Sequence, residues 1–230
     1  MSGDGDGMAG RMPRGLRDTR SWYRGVDPMS QVDPALVAFA AGRAGARILD
    51  VGCGLGGYTK ALTERGFEAR GVDVVEDYVE VARELGVDAE AYDGDRLPAE
   101  DGSVDTVVLF EVLEHLEDPA ALLHEARRVA SRNVLVTTPN CTQSFGDVPV
   151  EFSHMLDMDH RQFFTATTMR SLLEEVFARA EVTESHPLDE QLAGLVLPRP
   201  LMSVFWRLSR AGRIRPRFFS KLLGEAWVQP

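Results

Sequence analysis

Two carboxylates and an imidazole stand within five residues of one another, at Glu111, Glu114 and His115. A later stretch adds His154 and His160. Carboxylate oxygens and imidazole nitrogens together can bind Mg²⁺, Mn²⁺ or Zn²⁺. In the absence of a metal, an imidazole acts as a general base near neutral pH. These residues alone are compatible with either a divalent-cation site or a histidine base.

A glycine turn precedes this group. Asp50 ends a short apolar run, and Gly52, Gly54 and Gly56 follow at alternate positions. Glycine is needed where the backbone turns tightly and a ligand approaches closely. The helix expected beyond the turn offers free N–H groups to a ligand's carboxylate. Plain tight turns share this pattern, so the turn alone does not establish a cofactor. Cys53 lies inside it and fits a small buried residue better than a nucleophile.

Two more acids follow predicted strands. Asp73 comes 23 residues after Asp50, at a position where a carboxylate accepts hydrogen bonds from the two hydroxyls of a ribose. A helix N-cap is the alternative for this residue. Asp93 and Gly94 follow the next predicted strand, and an ordinary Asp turn is the alternative there.

Alternating strands and helices position these residues. The predicted strands are 47–51, 69–73, 87–92, 104–110, 134–138, 180–185 and 222–228. The predicted helices begin near residues 33, 57, 76, 118 and 165. This order predicts an α/β fold with a doubly wound, mostly parallel seven-stranded sheet and an N-terminal helix. Ligands bind at the carboxyl ends of the strands of such a sheet.

Several ordered motifs now give a resemblance. They are Asp93–Pro98, Gly102–Asp105 and Phe110–Pro119, which follow the glycine turn at the proper spacing. From about residue 48 to residue 177 the chain resembles the class I S-adenosylmethionine-dependent methyltransferases, which have a Rossmann-like fold. The resemblance implies S-adenosylmethionine as the cofactor. The residues it implies for cofactor binding are Asp50, Gly52, Gly54, Gly56, Asp73, Val74, Asp93, Gly94, Phe110 and Glu111.

The acceptor side is similar to a Glu-x-x-Glu-His subgroup of these enzymes. Plant small-RNA 2′-O-methyltransferases and ubiquinone-pathway O-methyltransferases share that element, and in the former it binds a divalent ion that grips a vicinal diol. The resemblance implies Mg²⁺, or another divalent cation, at Glu111, Glu114, His115 and His160. Such an ion lowers the pKa of one hydroxyl. Without it, His115, His160 or His154 is the expected catalytic base.

Charge and composition limit the classes of acceptor and the location that we expect for this chain. The net charge of -11 argues against a nucleic-acid partner, because phosphate contacts need Lys and Arg. We expect a small hydroxylated acceptor instead: a sugar, a glycosylated natural product or a catechol. A chain with only two cysteines suits a reducing cytoplasm. The sequence has no run of 18 apolar residues, so no membrane span is predicted. A homodimer is left open.

The expected organisation is a disordered leader at 1–20 and one methyltransferase domain at 21–230. Within that domain, 140–164 is expected to form a lid over the acceptor, and 189–221 forms a basic, aromatic extension. Residues 191–224 contain no acid. A solvated face, an anionic substrate and peripheral contact with a membrane surface are the alternatives for the extension.

Two other functions compete with O-methylation. One is N-methylation of a small molecule, and the other is S-adenosylmethionine binding without catalysis. An NAD-dependent enzyme is disfavoured, because the glycine spacing differs from that of dinucleotide sites.

Overall fold

The computed structural model describes residues 27–141, 144–145, 148–149, 160–187, 199–211 and 219–229. The strands are β1 Arg47–Val51, β2 Glu68–Asp73, β3 Ala89–Ala91, β4 Val104–Phe110, β5 Ala130–Pro139, β6 Ser144–Phe145, β7 Val148–Pro149, β8 Arg179–Pro187 and β9 Phe219–Trp227. The helices are α1 Pro34–Ala41, α2 Gly57–Thr63, α3 Glu76–Glu84, α4 Pro119–Val129, α5 Ala166–Val176 and α6 Arg199–Arg210. Short 3₁₀ turns lie at Pro28–Gln31 and Leu113–His115.

One sheet contains seven of these strands, in the order β3-β2-β1-β4-β5-β9-β8. β1 to β5 run parallel, and β9 is antiparallel to both β5 and β8. The predicted mostly parallel, seven-stranded sheet is therefore confirmed, including the strand expected at 222–228. The ends of β1, β2, β4 and β5 form one edge, here called the carboxyl edge. The pairs Pro139–Lys221 and Pro187–Phe219 also lie at this edge.

β4 is buried on both faces, as its continuous apolar sequence predicts. Val107 and Leu109 pack into the core formed with α4 and α5. Val108 and Phe110 pack into the core formed with α1 and α2. The alternation follows from the two-residue period of a strand. Each fully buried aliphatic side chain contributes about 1.5–3 kcal/mol, so the strand fixes both helical layers.

Polar caps begin three helices at the predicted residues. Asp33 Oδ1 accepts a hydrogen bond from the N–H of Ala35 at 2.8 Å and starts α1. Asp118 accepts from the N–H of Ala120 and starts α4, and Thr165 caps α5. Proline follows both aspartates at the first helical position, where its missing N–H costs nothing. Each such cap is worth about 0.5–2 kcal/mol.

Several local predictions differ from the structure, and β5 and β8 are longer than the predicted strands 134–138 and 180–185. β3 is shorter than the predicted strand 87–92, because it pairs only with Gly71–Asp73 before β2 ends. The insertion at 140–164, in which no strand is predicted, contains the antiparallel pair β6–β7. The expected leader and most of the predicted lid lie outside the described residues. In the part of the chain described, no helix is long and apolar enough to cross a membrane.

A buried amide links the centre of the sheet to its antiparallel side. Asn133 on β5 accepts a hydrogen bond from Thr106 Oγ1 at 2.6 Å. Its Nδ2 donates to Glu225 Oε1 on β9 at 2.7 Å. Glu225 also pairs with Arg43 at 3.2 Å. Three neighbouring strands thus share one polar network within the buried interior.

We expect Asn133→Leu to lower the free energy of unfolding by about 1–3 kcal/mol, because Glu225 and Thr106 lose a buried partner. Urea denaturation followed by circular dichroism measures the change. Arg132→Leu, at the exposed neighbouring position, is the matched control and should change stability by less than about 0.5 kcal/mol. Equal losses in the two variants would contradict the role assigned to the network.

Candidate active site

The glycine turn lies between β1 and α2, at the carboxyl edge. Gly52 has φ +74°, and a Cβ there would lie 2.6 Å from a methyl carbon of Val112, so packing requires a glycine. Gly54 has φ +53°, and no atom lies within 4 Å of where its Cβ would be. Space is therefore open above the middle of the turn, where a ligand can approach the backbone. Gly56 closes the turn as the N-cap of α2.

Asp73 ties this turn to the end of β2. One carboxylate oxygen accepts from the N–H of Gly54 and the other from the N–H of Val75, both at 2.9 Å. The side chain is 6% exposed, and burial raises the pKa of Asp73 while the backbone N–H groups oppose that rise. Each oxygen keeps acceptor capacity for a hydroxyl. Asp73 is not a helix cap, since α3 starts at Glu76 with Val75 as its N-cap.

Asp50 lies below the turn, at 2% exposure. Its Oδ2 accepts from Thr59 Oγ1 of α2 at 2.6 Å. Burial raises the pKa of Asp50 to about 6, and the nearby charge of Asp73 adds to the rise. Burial likewise raises the pKa of Cys53 far above that of a free thiol. Cys53 is therefore no nucleophile, in agreement with its interpretation from the sequence.

An apolar surface lies beside these acids. Val74 is 45% exposed, and the Cβ position of Gly94 is 3.4 Å from one of its methyl carbons. Asp93 Oδ1 accepts from the N–H of Asp95 at 3.0 Å, so part of this side chain forms the Asp turn considered above. The exposed side chain of Val74, with Gly94 beside it and the Asp93 carboxylate nearby in sequence, suits a flat ring that also donates a hydrogen bond.

Phe110 ends β4 at the same edge, and Glu111 follows it. Phe110 is buried, with the ring of Tyr58 edge-on at 5.2 Å. Glu111 has φ +56°, a left-handed conformation that is strained for a residue with a side chain. Its carboxylate accepts from Thr137 Oγ1 at 2.8 Å and pairs with Lys221 Nζ at 2.7 Å. Lys221 was not predicted as a site residue. It lies 110 residues from Glu111, and the sequence around it indicates only a basic segment.

Three of the four predicted metal ligands come together. Glu114, His115 and His160 each offer one ligand atom, and these atoms lie within 4.8 Å of one another. The two imidazole rings meet edge to face, 4.9 Å apart. Glu111, the fourth predicted ligand, is outside this cluster and pairs with Lys221 instead. His154 lies outside the described residues.

Backbone hydrogen bonds bring His160 to the cluster. The carbonyl of Glu114 accepts from the N–H groups of Arg161 and Gln162, at 2.7 and 3.0 Å. Arg161 also pairs with Glu117. At the base of the predicted lid, the N–H of Cys141 donates to the carbonyl of Phe164 at 2.8 Å. The segment around residue 160 is thus fixed through main-chain atoms.

A histidine–aspartate pair at the carboxyl edge was not predicted. His186, at the end of β8, contacts Asp33 Oδ2 through Nε2 at 2.7 Å. Its backbone is left-handed at φ +62°. The same Asp33 caps α1, and its N–H donates to Tyr58 Oη at 3.2 Å. This pair connects α1 to the antiparallel side of the sheet, and a lone histidine in the sequence gave no signal of it.

Known proteins similar in sequence are methyltransferases. The model of a family described as a methyltransferase domain matches residues 24–176. A ubiquinone biosynthesis O-methyltransferase from Xanthomonas oryzae is 34% identical over 112 residues, 44% of this chain and 47% of that protein. One from Pseudomonas aeruginosa is 35% identical over 125 residues, 48% of this chain and 53% of that protein. The chain thus spans about half the length of these relatives.

Solved structures give the same fold. A SAM-dependent methyltransferase from Archaeoglobus fulgidus superposes with a TM-score of 0.66 at 19% identity, over 92% of this chain and 99% of that one. Another from Aquifex aeolicus has a TM-score of 0.57 at 17% identity, over 90% and 97% of the two chains. At such identities the likeness concerns the fold, and it confirms the predicted Rossmann-like methyltransferase architecture.

The raised pKa of Asp50 predicts a pH-dependent stability. Between about pH 4 and pH 6 the folded chain keeps a proton on Asp50 that the unfolded chain has lost, so stability falls as the pH rises. Asp50→Asn has no titratable group at this position, so its stability does not depend on pH in this way. We expect the free energy of unfolding of Asp50→Asn, relative to that of the wild type, to rise by at most about 1.4 kcal/mol per pH unit across that window.

Denaturation at several pH values checks this expectation, with Asp88→Asn at an exposed position as the control. The difference between Asp50→Asn and the wild type should become constant above the window, where both wild-type states are ionised. Parallel curves for Asp50→Asn and the wild type would show that Asp50 titrates normally.

Proposed function

Because the chain belongs to the methyltransferase domain family, we propose that it is an S-adenosylmethionine-dependent O-methyltransferase acting on a hydroxyl of a small molecule. The observation that carries the proposal is the joining of two groups at one sheet edge. The glycine turn locked by Asp73 supplies a cofactor site, and Glu114, His115 and His160 supply proton-accepting or metal-binding groups.

The residues at the turn fit the parts of S-adenosylmethionine. The open backbone at Gly54 and the start of α2 suit the methionine carboxylate, and Asp73 keeps acceptor capacity for the ribose hydroxyls. Val74, Gly94 and Asp93 suit the adenine ring and its amino group. The bound cofactor supplies a methyl group already activated by its sulfonium. What is left to the protein is to orient the acceptor and take its proton.

Charge supports the same assignment. Asp50 and Asp73 lie below and beside the turn, and Glu111 follows β4 at the same edge. A concentration of carboxylates favours a cationic ligand over an anionic one. Lys221 offsets the charge of Glu111 and holds its carboxylate towards β9. In this proposal Glu111 therefore shapes the site from outside the cluster of Glu114, His115 and His160.

The cluster has the donor set of a catalytic metal site. Three protein ligands leave positions open for an acceptor, and two imidazoles with one carboxylate suit Zn²⁺ or another transition ion better than Mg²⁺, which prefers oxygen ligands. A bound divalent cation would bind two neighbouring hydroxyls and lower the pKa of one. Without an ion, His115 or His160, whose rings lie edge to face 4.9 Å apart, takes the proton of the acceptor as general base.

The acceptor and the location are further parts of the proposal. The similar proteins named ubiquinone biosynthesis O-methyltransferase favour hydroxyl methylation, and a paired donor cluster favours a vicinal diol such as a catechol or a sugar. A natural-product glycoside offers the same diol. The net charge of -11 supports a small acceptor over a nucleic acid.

Both cysteines are free, which fits a cytoplasmic location.

Cofactor binding depends on Asp73 in this proposal. We expect Asp73→Ala to weaken binding of S-adenosylmethionine by more than about tenfold, because two charge-assisted hydrogen bonds to the ribose are lost. Isothermal titration measures the affinity, and thermal melting checks that the variant folds. Asp88→Ala removes an exposed acid before β3 and is the control for net charge. Unchanged affinity in a folded Asp73→Ala protein would remove the ribose assignment.

Methyl transfer should be measured as S-adenosylhomocysteine formation on catechols, sugars and glycosides, with and without EDTA. If an ion is used, EDTA abolishes product and Mg²⁺, Mn²⁺ or Zn²⁺ restores it. His160→Ala should lower turnover at least about a hundredfold in either mechanism, since it loses a ligand or a base. His124→Ala, on the exposed side of α4, is the matched control.

The result separates the mechanisms. Product that is insensitive to EDTA assigns proton removal to a histidine and excludes the ion. No product with any hydroxyl acceptor, despite tight cofactor binding, would contradict O-methylation and favour the amine acceptors or the non-catalytic binding considered from the sequence.

A further inference from the structure

α6 carries an apolar stripe that is partly exposed, with Phe205 and Leu208 half-buried. Leu201, Val204, Phe205 and Leu208 recur with the spacing of one helix face. Leu201 and Val204 are each 52% exposed. α6 packs extensively against no other described helix or strand. A stripe of this kind on a solvated helix leaves apolar area in water that a partner would bury.

Charge on this part of the chain is opposite to that of the rest. Residues 191–224 contain seven basic side chains and no acid. All other residues together contain 18 basic and 36 acidic side chains. Arg207 of α6 is exposed. An anionic surface therefore attracts this segment and repels the remainder, which selects one orientation of the molecule.

The topology places this segment at the functional edge. The connection that contains α6 leaves β8 at Pro187 and re-enters the sheet at Phe219, and these two residues are paired. Both lie at the carboxyl edge. Two residues further along β9, Lys221 contacts Glu111 at the end of β4. The basic connection thus begins and ends beside the proposed acceptor side.

We propose that α6 is an interfacial helix that docks the carboxyl edge of the sheet on an anionic lipid bilayer. Exposed aliphatic side chains on one face and arginine without neighbouring acids are the two features that such a helix combines. A nucleic acid would satisfy the charge and leave Leu201 and Val204 in water, so the bilayer fits both observations. This proposal goes beyond methyl transfer and does not depend on it.

Binding of the full chain to vesicles tests the proposal. The vesicles are phosphatidylcholine alone, or phosphatidylcholine with one-third phosphatidylglycerol, and co-flotation measures the bound fraction. We expect binding to the anionic vesicles, little binding to the neutral ones, and a decrease in high salt, which screens the charges. Equal binding to both compositions, or binding to neither, would overturn the proposal.

Three variants separate the contributions of α6. Leu201→Ser with Val204→Ser should weaken vesicle binding at least about fivefold, from lost apolar burial. Arg207→Glu should weaken it by a similar or larger factor, since each basic residue near an anionic surface contributes roughly fivefold. Arg132→Glu makes the same charge change on β5, at the opposite end of the strand from Pro139, and should bind like the wild type. Equal losses in both arginine variants would indicate net charge alone and overturn the docking face.

A second copy of the chain is the competing occupant of the stripe. Light scattering on the wild type and on the double serine variant measures the oligomeric state. A dimer that becomes a monomer on substitution, with vesicle binding unchanged, would assign the stripe to self-association and overturn the bilayer proposal. A state that is the same in both proteins, with vesicle binding lost, supports it.

Discussion

The carboxylate of Asp73 is buried where an ionised group is unfavourable, and two backbone N–H groups make its charge tolerable. One of these groups belongs to the glycine turn and the other to the approach to α3. Asp73 thus helps to hold the turn, together with the N–H groups of Gly52 and Cys53, which donate to the carbonyl of Val72. Asp50 supports the same turn from below, through Thr59 on α2. The cofactor half of the proposed site is in this way one unit, made of segments that meet at a single carboxylate.

The acceptor half is assembled differently, from segments far apart in sequence. The carbonyl of Glu114 accepts two N–H groups from residues 161 and 162, and Lys221 reaches Glu111 from the antiparallel strand β9. These contacts join residues that lie close together only in the assembled sheet. The left-handed backbone of Glu111 is held by Thr137 and Lys221 on two other strands, and such strain persists when neighbouring contacts determine it.

This difference explains what the sequence could predict. The glycine turn, the aspartate caps and the apolar run of β4 depend on nearby residues, and each lies where its local pattern predicts. The late strand β9 could also be predicted, because the apolar residues that indicate it lie within one short segment. The ion pair of Glu111 with Lys221 joins residues 110 positions apart, and no local pattern encodes that distance. For the same reason the contact of His186 with Asp33 had no signal, although the histidine and the cap were both visible.

The hydrogen bond between Cys141 and Phe164 closes the chain on itself at the base of the predicted lid. The segment between them starts and finishes at one point of the framework, so its length is not set by any distance that it must span. The entropy of closing such a loop changes slowly with its length. Insertions and deletions at 142–159, before the residues that donate to the Glu114 carbonyl, are therefore expected to leave the sheet and the glycine turn in register. Related chains can in this way differ in this one segment while they keep the same framework.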